Sequence, residues 1–374
     1  MTPNELFEHR GYLADEKKLA AYLAALHEVV TPDDTVLDLG AGTGVLGVLA
    51  CQAGARHVIA VDRGDIIDVA RAIAVANGLA DRITHVQSLS TEMTLDTPVD
   101  VVVCDQIGGL VHDAGVLSCF ADARRRLLVE GGRMVPQAFR VFVAPVTFQI
   151  GRDAVDFWAS APSSIDVSAA KRIAANTEWK YNIVANDVVA LAAGQELAAF
   201  PSDHEERISG RLEFEVGTAG RLDGYLGWFE AQMSPSVTLT NDPWSPDRFD
   251  RWCNFYALED AVDLSAGDRV TLDLDIRPRG GVVSWSTTLR VDGMPERRIK
   301  QSTFLAATKS DLLGHTEPVP SPRRIPAFER VLGLIDGTRT PSQIVAELGD
   351  PTALGFASHN HLENFVQKVA GLAG

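Results

Sequence analysis

The chain has 374 residues, of which 46% are hydrophobic and 22% are charged. This is the composition of a globular protein with room for two domains and a small appendage. Its net charge of −16 argues against binding to nucleic acid or to anionic membranes, and no apolar run approaches the roughly 18 residues of a spanning helix. The chain shows no signal-peptide pattern, and its four cysteines have neither metal-ligand nor disulfide spacing. We therefore expect a cytoplasmic protein without a metal site.

The first third of the chain has an α/β pattern. Residues 1 to about 35 are expected to be helical, with Leu19, Leu23 and Leu26 on an apolar face. The residues that follow alternate between strands and helices, which predicts a parallel sheet with helices on both faces. The strands are expected at 36–39, 58–62, 83–86 and 99–104, and the helices at 45–53, 65–77 and 116–128.

From about residue 139 the pattern changes to β-rich runs separated by Gly and Pro, which predicts an antiparallel β-barrel or sandwich. Residues 308–324 contain three prolines and are interpreted as a linker, and residues 325–374 as helical again. The predicted domains are therefore 1–138, 139–307 and 325–374. The β-rich runs are Arg140–Val146, Arg211–Val216, Ser236–Thr240, Val270–Ile276 and Val282–Arg290.

The most informative segment is Val36–Leu46, VLDLGAGTGVL, which describes a buried strand, a glycine-rich turn and an apolar helix. Glycines in such a turn allow positive φ and let a ligand approach the main chain without a Cβ in the way. The next predicted strand ends at Asp62, where a carboxylate can accept hydrogen bonds from both hydroxyls of a ribose. A turn without a ligand is the alternative, and the placement of Asp62 favours a nucleoside site.

The glycine spacing after Leu37-Asp38-Leu39 resembles motif I of class I S-adenosylmethionine (SAM) methyltransferases. Over residues 6 to about 300, the order of segments resembles the protein arginine methyltransferase family, beginning with a leading helix that contains Lys18 and Tyr22. The resemblance implies a Rossmann-like domain, a β-barrel domain with a dimerisation arm at about 155–181, and SAM as cofactor. It also implies that Lys18 pairs with the SAM carboxylate. The expected cofactor residues are Lys18, Asp38, Gly40, Ala41, Gly42, Gly44, Asp62, Arg63, Ser90, Thr91, Glu92 and Asp105.

The chain departs from the family at the active site. The family has two glutamates, nine residues apart, that neutralise and orient the guanidinium of the substrate. Here Asp105 stands at the first position and Ala114 at the second, and the nearest later carboxylate is Asp113. Arg251 replaces the His of the family's Thr-His-Trp loop, and a cation there would repel a bound guanidinium.

Three residues are candidates for catalysis, because the acceptor must lose its proton if it is a protonated nitrogen or a hydroxyl. Asp105 follows the fourth strand at the edge where open α/β sheets bind ligands, and its alternative is a turn or capping role. His112 has an unperturbed pKa suited to proton abstraction, and the alternative is an exposed loop histidine. Asp113 could instead cap a helix that begins near Ala114.

The carboxy-terminal segment lies outside the arginine methyltransferase pattern. Leu334–Thr340, followed by a helix with Thr340 as N-cap and Pro341 at its first position, resembles PqqD-like winged-helix modules, which bind leader peptides. The alternative is a three-helix extension without a ligand. The arm contains Phe157, Trp158, Ile173, Trp179 and Tyr181, whose apolar side chains are expected to dock on a second subunit as a homodimer.

These observations predict a SAM-dependent methyltransferase that modifies N or O of a small molecule or peptide, in specialised biosynthesis. Two alternatives stay open. One is a protein arginine N-methyltransferase that uses Asp in place of the glutamate pair. The other is a SAM-binding scaffold that transfers nothing and recruits a peptide through its carboxy-terminal segment.

Overall fold

The computed structural model of this chain divides into two units, residues 1–307 and 308–374. In the first unit it describes residues 3–307 except 161, 205–206, 279–280, 292 and 294. In the second unit it describes residues 330–331, 334–335, 338–351, 359, 362–363 and 365–367. No helix in these described parts is long and apolar enough to span a membrane.

A five-stranded parallel sheet forms the first layer of the larger unit, with strand order β3-β2-β1-β4-β5. Four of its strands match the predicted ones closely. The fifth, β5, was not predicted, because Gly131 and Gly132 interrupt its apolar pattern. The strands are β1 (Thr35–Leu39), β2 (His57–Asp62), β3 (Ile83–Gln87), β4 (Val99–Cys104) and β5 (Leu128–Val135).

Five helices belong to this part of the chain. The predicted amino-terminal helical region is two helices, because Asp15 interrupts it and caps the second one by accepting a hydrogen bond from the Lys18 amide at 3.1 Å. The predicted helix over 116–128 ends at Arg126, since Leu128 begins β5. The helices are α1 (Pro3–Ala14), α2 (Glu16–Val29), α3 (Val45–Gln52), α4 (Ile66–Ala76) and α5 (Val116–Arg126).

Residues from Ala138 onward form two antiparallel sheets. The larger has the order β7-β13-β11-β6-β8, with β12 paired to β11 and β9 paired to β6, and the smaller has the order β10-β14-β15-β16. The strands are β6 (Ala138–Thr147), β7 (Glu178–Tyr181), β8 (Val189–Ala190), β9 (Gln195–Pro201), β10 (Ile208–Glu215), β11 (Gly220–Gln232), β12 (Thr238–Thr240), β13 (Cys253–Leu264), β14 (Arg269–Arg277), β15 (Val282–Arg290) and β16 (Arg297–Ser302). The helices of this part are α6 (Gln149–Asp156), α7 (Lys171–Ala175) and α8 (Thr303–Ala307).

The two longest strands, β11 and β13, are absent from the β-rich runs singled out in the sequence. Strand β11 lies between β13 and β6, and its residues Leu222 to Phe229 are all buried. A strand covered on both faces loses the alternation of apolar and polar residues by which strands are recognised. Its glycines weaken the signal further.

The predicted arm is only partly an insertion. Helices α6 (Gln149–Asp156) and α7 (Lys171–Ala175) are joined by short 3₁₀ turns, but β7 pairs with β13 of the chain's own sheet. Trp179 and Tyr181 therefore pack on that sheet, and the expectation that they need another surface is wrong. Phe157 and Ile165 remain 52% and 62% exposed.

The second unit has a small apolar core of its own. Helix α9 (Pro341–Leu348) begins as predicted, since Thr340 Oγ1 accepts from the Gln343 amide at 3.3 Å and Gln343 Oε1 accepts from the Thr340 amide at 2.8 Å. The predicted linker over 308–324 and most of the neighbouring predicted helices lie outside the described residues. The buried core residues are Val331, Ile344, Val345, Leu348, Leu362 and Val366.

Candidate functional site

Three strands of the parallel sheet end together and bring the predicted cofactor residues to one edge. Leu39 at the end of β1 pairs with Val61 of β2 and with Cys104 of β4. The residues that follow, Gly40, Asp62 and Asp105, therefore lie side by side. The sheet order reverses at β1, which is where ligands bind in open α/β sheets.

The glycine turn adopts the conformation that its sequence predicts. Gly40, Gly42 and Gly44 have φ of +66°, +53° and +74°, a region that L side chains rarely occupy. A Cβ on Gly42 would come within 2.5 Å of the His9 imidazole of α1, and one on Gly40 would meet the Gln106 amide. The side chains of His9 and Gln106 therefore pack directly on the turn and leave no room for a Cβ at Gly42 or Gly40.

A cleft of about 300 Å³ opens beside this turn. Asp62 lies in its wall, with Oδ2 accepting from the Gly42 amide at 2.9 Å and Oδ1 accepting from the Gly64 amide at 2.8 Å. Each oxygen keeps a second lone pair for a ligand hydroxyl. The lining residues are Leu39, Gly40, Val61, Asp62, Arg63, Ser88, Leu89, Ser90, Gln106, Ala114 and Cys119.

The cleft includes only part of the predicted cofactor set. Gly40, Asp62, Arg63 and Ser90 line it, while Thr91 and Glu92 are exposed and do not. Sequence reasoning missed Gln106, Leu89 and Cys119, because nothing in their local sequence distinguishes them from packing or loop residues. Ala41, Gly42 and Gly44 complete the turn behind the lining, and Lys18, Asp38 and Asp105 lie outside it.

Asp38, near the end of β1, is hydrogen-bonded to the helix that follows the turn. Its side chain is fully buried, and Oδ2 accepts from the Gly47 amide of α3 at 2.9 Å. Its Oδ1 has no hydrogen-bond partner within the described residues. Burial raises the pKa of Asp38 to about 7, and the charges of Asp62 and Asp105 act in the same direction. The structure thus places Asp38 in contact with α3 and beneath the turn.

Asp105 is surrounded by cations and a phenol. Its carboxylate forms ion pairs with the Lys18 ammonium and with Arg251, whose Nη2 lies 3.0 Å from Oδ1. The Tyr22 hydroxyl lies 3.4 Å from the same oxygen and donates to the Cys104 carbonyl at 2.8 Å. Lys18 and Arg251 are almost completely buried, so these charges interact with little screening by water.

His112 and Asp113 point into a buried polar network instead of solvent. His112 Nε2 lies 3.2 Å from Glu178 Oε1 of β7, and that oxygen also accepts from the Tyr256 hydroxyl at 2.6 Å and Asn254 Nδ2 at 2.7 Å. Asp113 pairs with Lys180 Nζ at 2.6 Å and lies 3.3 Å from the amides of residues 109 and 110. The loop after β4 is thereby tied to strands β7 and β13.

The non-catalytic alternatives considered for His112 and Asp113, an exposed loop histidine and a helix cap, are both wrong. His112 is not an exposed loop histidine, since its side chain is 5% exposed, and Asp113 does not cap α5, whose N-cap is Gly115. Burial lowers the pKa of His112, but the contact with Glu178 and its negative charge outweigh this, and the pKa is raised. Protonated His112 is thereby favoured, which suits an ion pair better than a base.

The His112–Glu178 contact should make stability depend on pH. A histidine whose pKa is higher in the folded state than in the unfolded state stabilises the folded protein. This stabilisation is fully present at a pH below the unfolded pKa of about 6.5 and is lost as the pH rises through the folded pKa. We expect His112→Gln to lower the melting temperature at pH 6 by several degrees, because it removes the cation that lies 3.2 Å from the buried Glu178 carboxylate, and each kcal/mol lost shifts Tm by roughly 2–4 °C. The difference from the wild type should shrink at pH 9 in calorimetry.

Glu178 and Asp113 determine how the stability of this network changes at acidic pH. Burial opposes ionisation of both, but His112 and, for Asp113, also Lys180 hold each carboxyl pKa below its usual range. Their contributions are present above the ordinary carboxyl pKa of about 4 and disappear as pH falls through the folded values. A Tm difference that is the same at pH 6 and pH 9 would contradict the charged His112–Glu178 pair.

The residues at this edge fit SAM. Gly40 lines the cleft without a side chain, the Asp62 carboxylate can accept from ribose hydroxyls, and the buried Lys18 ammonium, here paired with Asp105, is a cation suited to a carboxylate. Val61, Leu89 and Ser90 supply walls for a base. When bound, SAM would supply a methyl group on a positively charged sulfur, and the sulfur is a good leaving group because it becomes a neutral thioether. The chain's own residues then need to orient the acceptor and manage its proton.

Comparisons with known proteins agree with this fit. Residues 20–136 match the family model of ribosomal protein L11 methyltransferase (PrmA). The chain is 26% identical over 284 residues to protein arginine N-methyltransferase 6 of Xenopus tropicalis, covering 72% of this chain and 83% of that protein. It is 32% identical over 168 residues to protein arginine N-methyltransferase 1.1 of Arabidopsis thaliana, covering 44% and 43%.

Solved structures share the fold. The Trypanosoma brucei PRMT1 enzyme-prozyme heterotetrameric complex with AdoHcy matches with a TM-score of 0.68 at 22% identity, covering 79% of this chain and 97% of that one. Arabidopsis thaliana protein arginine methyltransferase 10 gives 0.65 at 20% identity, with the same coverage. The predicted Rossmann-like domain followed by an antiparallel β domain is confirmed. The chain is a SAM-dependent methyltransferase that is similar to the protein arginine methyltransferases in sequence and in fold.

Proposed function

We propose that this methyltransferase modifies a nitrogen or oxygen of an acceptor that enters beside Asp105. Within this class, the comparisons favour an arginine side chain of a protein or peptide over a small molecule of a specialised pathway. The relatives aligned over most of the chain are named as protein arginine N-methyltransferases. Asp105 directly follows β4 at the edge of the sheet that holds the cleft, so an acceptor held there would lie near the SAM methyl group.

One observation of the site carries this proposal. The guanidinium of Arg251 already lies against Asp105. Its Cζ atom is 5.4, 5.5 and 5.6 Å from the ring centroids of Tyr12, Phe249 and Trp252. A carboxylate beside aromatic rings is an environment that binds a guanidinium well. The surroundings of Asp105 therefore have the chemistry that an arginine acceptor requires.

A second candidate acceptor is an uncharged nitrogen or a hydroxyl of a small molecule or peptide. The observation that favours it is the lack of a free carboxylate pair. Ala114 stands at the second glutamate position, Asp113 is bound to Lys180, and Asp105 is neutralised by two cations. A bound guanidinium would have only a shared carboxylate to balance its charge.

The two candidates are separated by one experiment. The protein is incubated with SAM and either an arginine-containing peptide or a set of hydroxyl and amine acceptors, and S-adenosylhomocysteine is quantified by mass spectrometry. Acid hydrolysis of the peptide product then reveals methylarginine if arginine is the acceptor. Turnover with uncharged acceptors alone would support the second candidate. Formation of no S-adenosylhomocysteine with either set would count against both.

We also propose that the protein is a homodimer joined through the arm. Phe157 and Ile165 expose apolar surface there, and the Trypanosoma brucei relative is described as a heterotetramer. A two-fold dimer, the commonest homo-oligomer, would bury these side chains. Light scattering at micromolar concentration should give twice the chain mass of 40.3 kDa. A mass equal to one chain would show that the arm does not join subunits.

A further inference from the structure

The loop before β13 places the Arg251 guanidinium against Asp105, the carboxylate that a positively charged acceptor would need as its own partner. Arg251 is 5% exposed, and its Nη2 lies 3.0 Å from Asp105 Oδ1. Its Nε has no hydrogen-bond partner within the described residues. Arg251 therefore shares the single carboxylate of Asp105 with the Lys18 ammonium, and three aromatic rings flank its guanidinium.

Two carboxylates of the neighbouring polar network are already engaged by other groups. The Asp113 carboxylate is engaged by Lys180 and by the amides of residues 109 and 110. Glu178 is engaged by His112, Asn254 and Tyr256. An acceptor with a positive charge would have to share Asp105 with Arg251, and the two cations would repel each other at contact distance.

We propose that Arg251 is an internal competitor that occupies the guanidinium position at Asp105, so that an arginine acceptor must displace it to bind there. This inference rests on the proposed function, because it assumes that the acceptor binds beside Asp105. An uncharged acceptor does not need to displace Arg251. An arginine acceptor gains the position only when the Arg251–Asp105 pair opens, so its affinity is reduced by the fraction of time the pair is closed.

The test measures binding as well as turnover. The tripeptide Gly-Arg-Gly is titrated by calorimetry into protein saturated with S-adenosylhomocysteine, and the same tripeptide with citrulline, a neutral analogue of arginine, is the matched ligand control. We expect R251Q to bind the arginine peptide at least tenfold more tightly than the wild type. Binding of the citrulline peptide should change by less than about threefold.

Two further variants keep the test informative. R251K retains a cation and should bind the arginine peptide as the wild type does, within about threefold, while R251M should behave as R251Q does. Adding D105N to R251Q should abolish the gain, because the carboxylate itself is the ligand. The affinity for S-adenosylhomocysteine and the melting temperature of each variant confirm that the fold is intact.

The outcomes separate this inference from the proposed function. Equal binding of the arginine peptide by R251Q, R251M and wild type would overturn the competitor, whatever the turnover results are. A tenfold gain without methylation of the peptide by any variant would support the competitor and refute arginine as the acceptor. A tenfold gain accompanied by methylarginine formation in R251Q would support both.

Discussion

Replacing Asp62 with alanine is expected to weaken SAM binding at least tenfold. Asp62 holds the Gly42 and Gly64 amides at 2.9 and 2.8 Å and would also accept from the two ribose hydroxyls. Charge-assisted hydrogen bonds contribute on the order of 1.5–3 kcal/mol each, and 1.4 kcal/mol is a factor of ten in affinity. Isothermal titration calorimetry with SAM measures the loss directly.

A matched control for Asp62→Ala is available on the next helix. Asp68 on α4 has a side chain that is 70% exposed and pairs with Arg71, so Asp68→Ala removes a carboxylate near the cleft without touching its wall. SAM affinity should stay within about threefold in that variant. Unchanged affinity in Asp62→Ala would mean that the nucleoside binds elsewhere in the protein.

The second large effect is expected at Asp105. Asp105→Asn preserves the shape of the side chain but removes the charge that would orient or deprotonate the acceptor. Loss of a general base reduces turnover by roughly 10²-fold or more, so kcat with the acceptor found in the turnover assay should fall by at least that factor. SAM binding should change by less than about threefold, because Asp105 does not line the cleft beside the glycine turn.

The comparison variant for Asp105 is Asp260→Asn. Asp260 lies on β13, is 60% exposed and pairs with Lys171, so its loss removes an exposed ion pair that does not line the cleft. Its kcat should equal that of the wild type. If Asp105→Asn loses SAM binding together with turnover, Asp105 belongs to the cofactor site and does not act on the acceptor.

His112 and Asp113 gain a different interpretation from their surroundings. Both lie in the network that ties the loop after β4 to β7 and β13, and the raised pKa of His112 disfavours the neutral form that a base requires. Their substitution is therefore expected to act first on stability. The pH dependence described above measures this effect without any assay of activity.

Features encoded by neighbouring residues could be predicted from the sequence alone. The turn at Gly40, Gly42 and Gly44 and the carboxylate at the end of β2 depend on local backbone geometry and on the regular edge of a parallel sheet. The capping of α9 by Thr340 is equally local. These elements appear where predicted because their physical causes span only a few residues.

Tertiary structure decided the contacts between residues far apart in the chain. Asp105 and Arg251 are 146 residues apart, and only the packing of the loop before β13 against the end of β4 shows that they share an ion pair. Glu178 meets His112 because β7 pairs with β13, a strand assignment that the sequence pattern did not suggest. The surroundings then change the interpretation of the same residues, since the contact with Glu178 raises the pKa of His112 although burial opposes this. The glycine turn and the position of Asp62 followed from local sequence, whereas the charges around Asp105 depend on the fold.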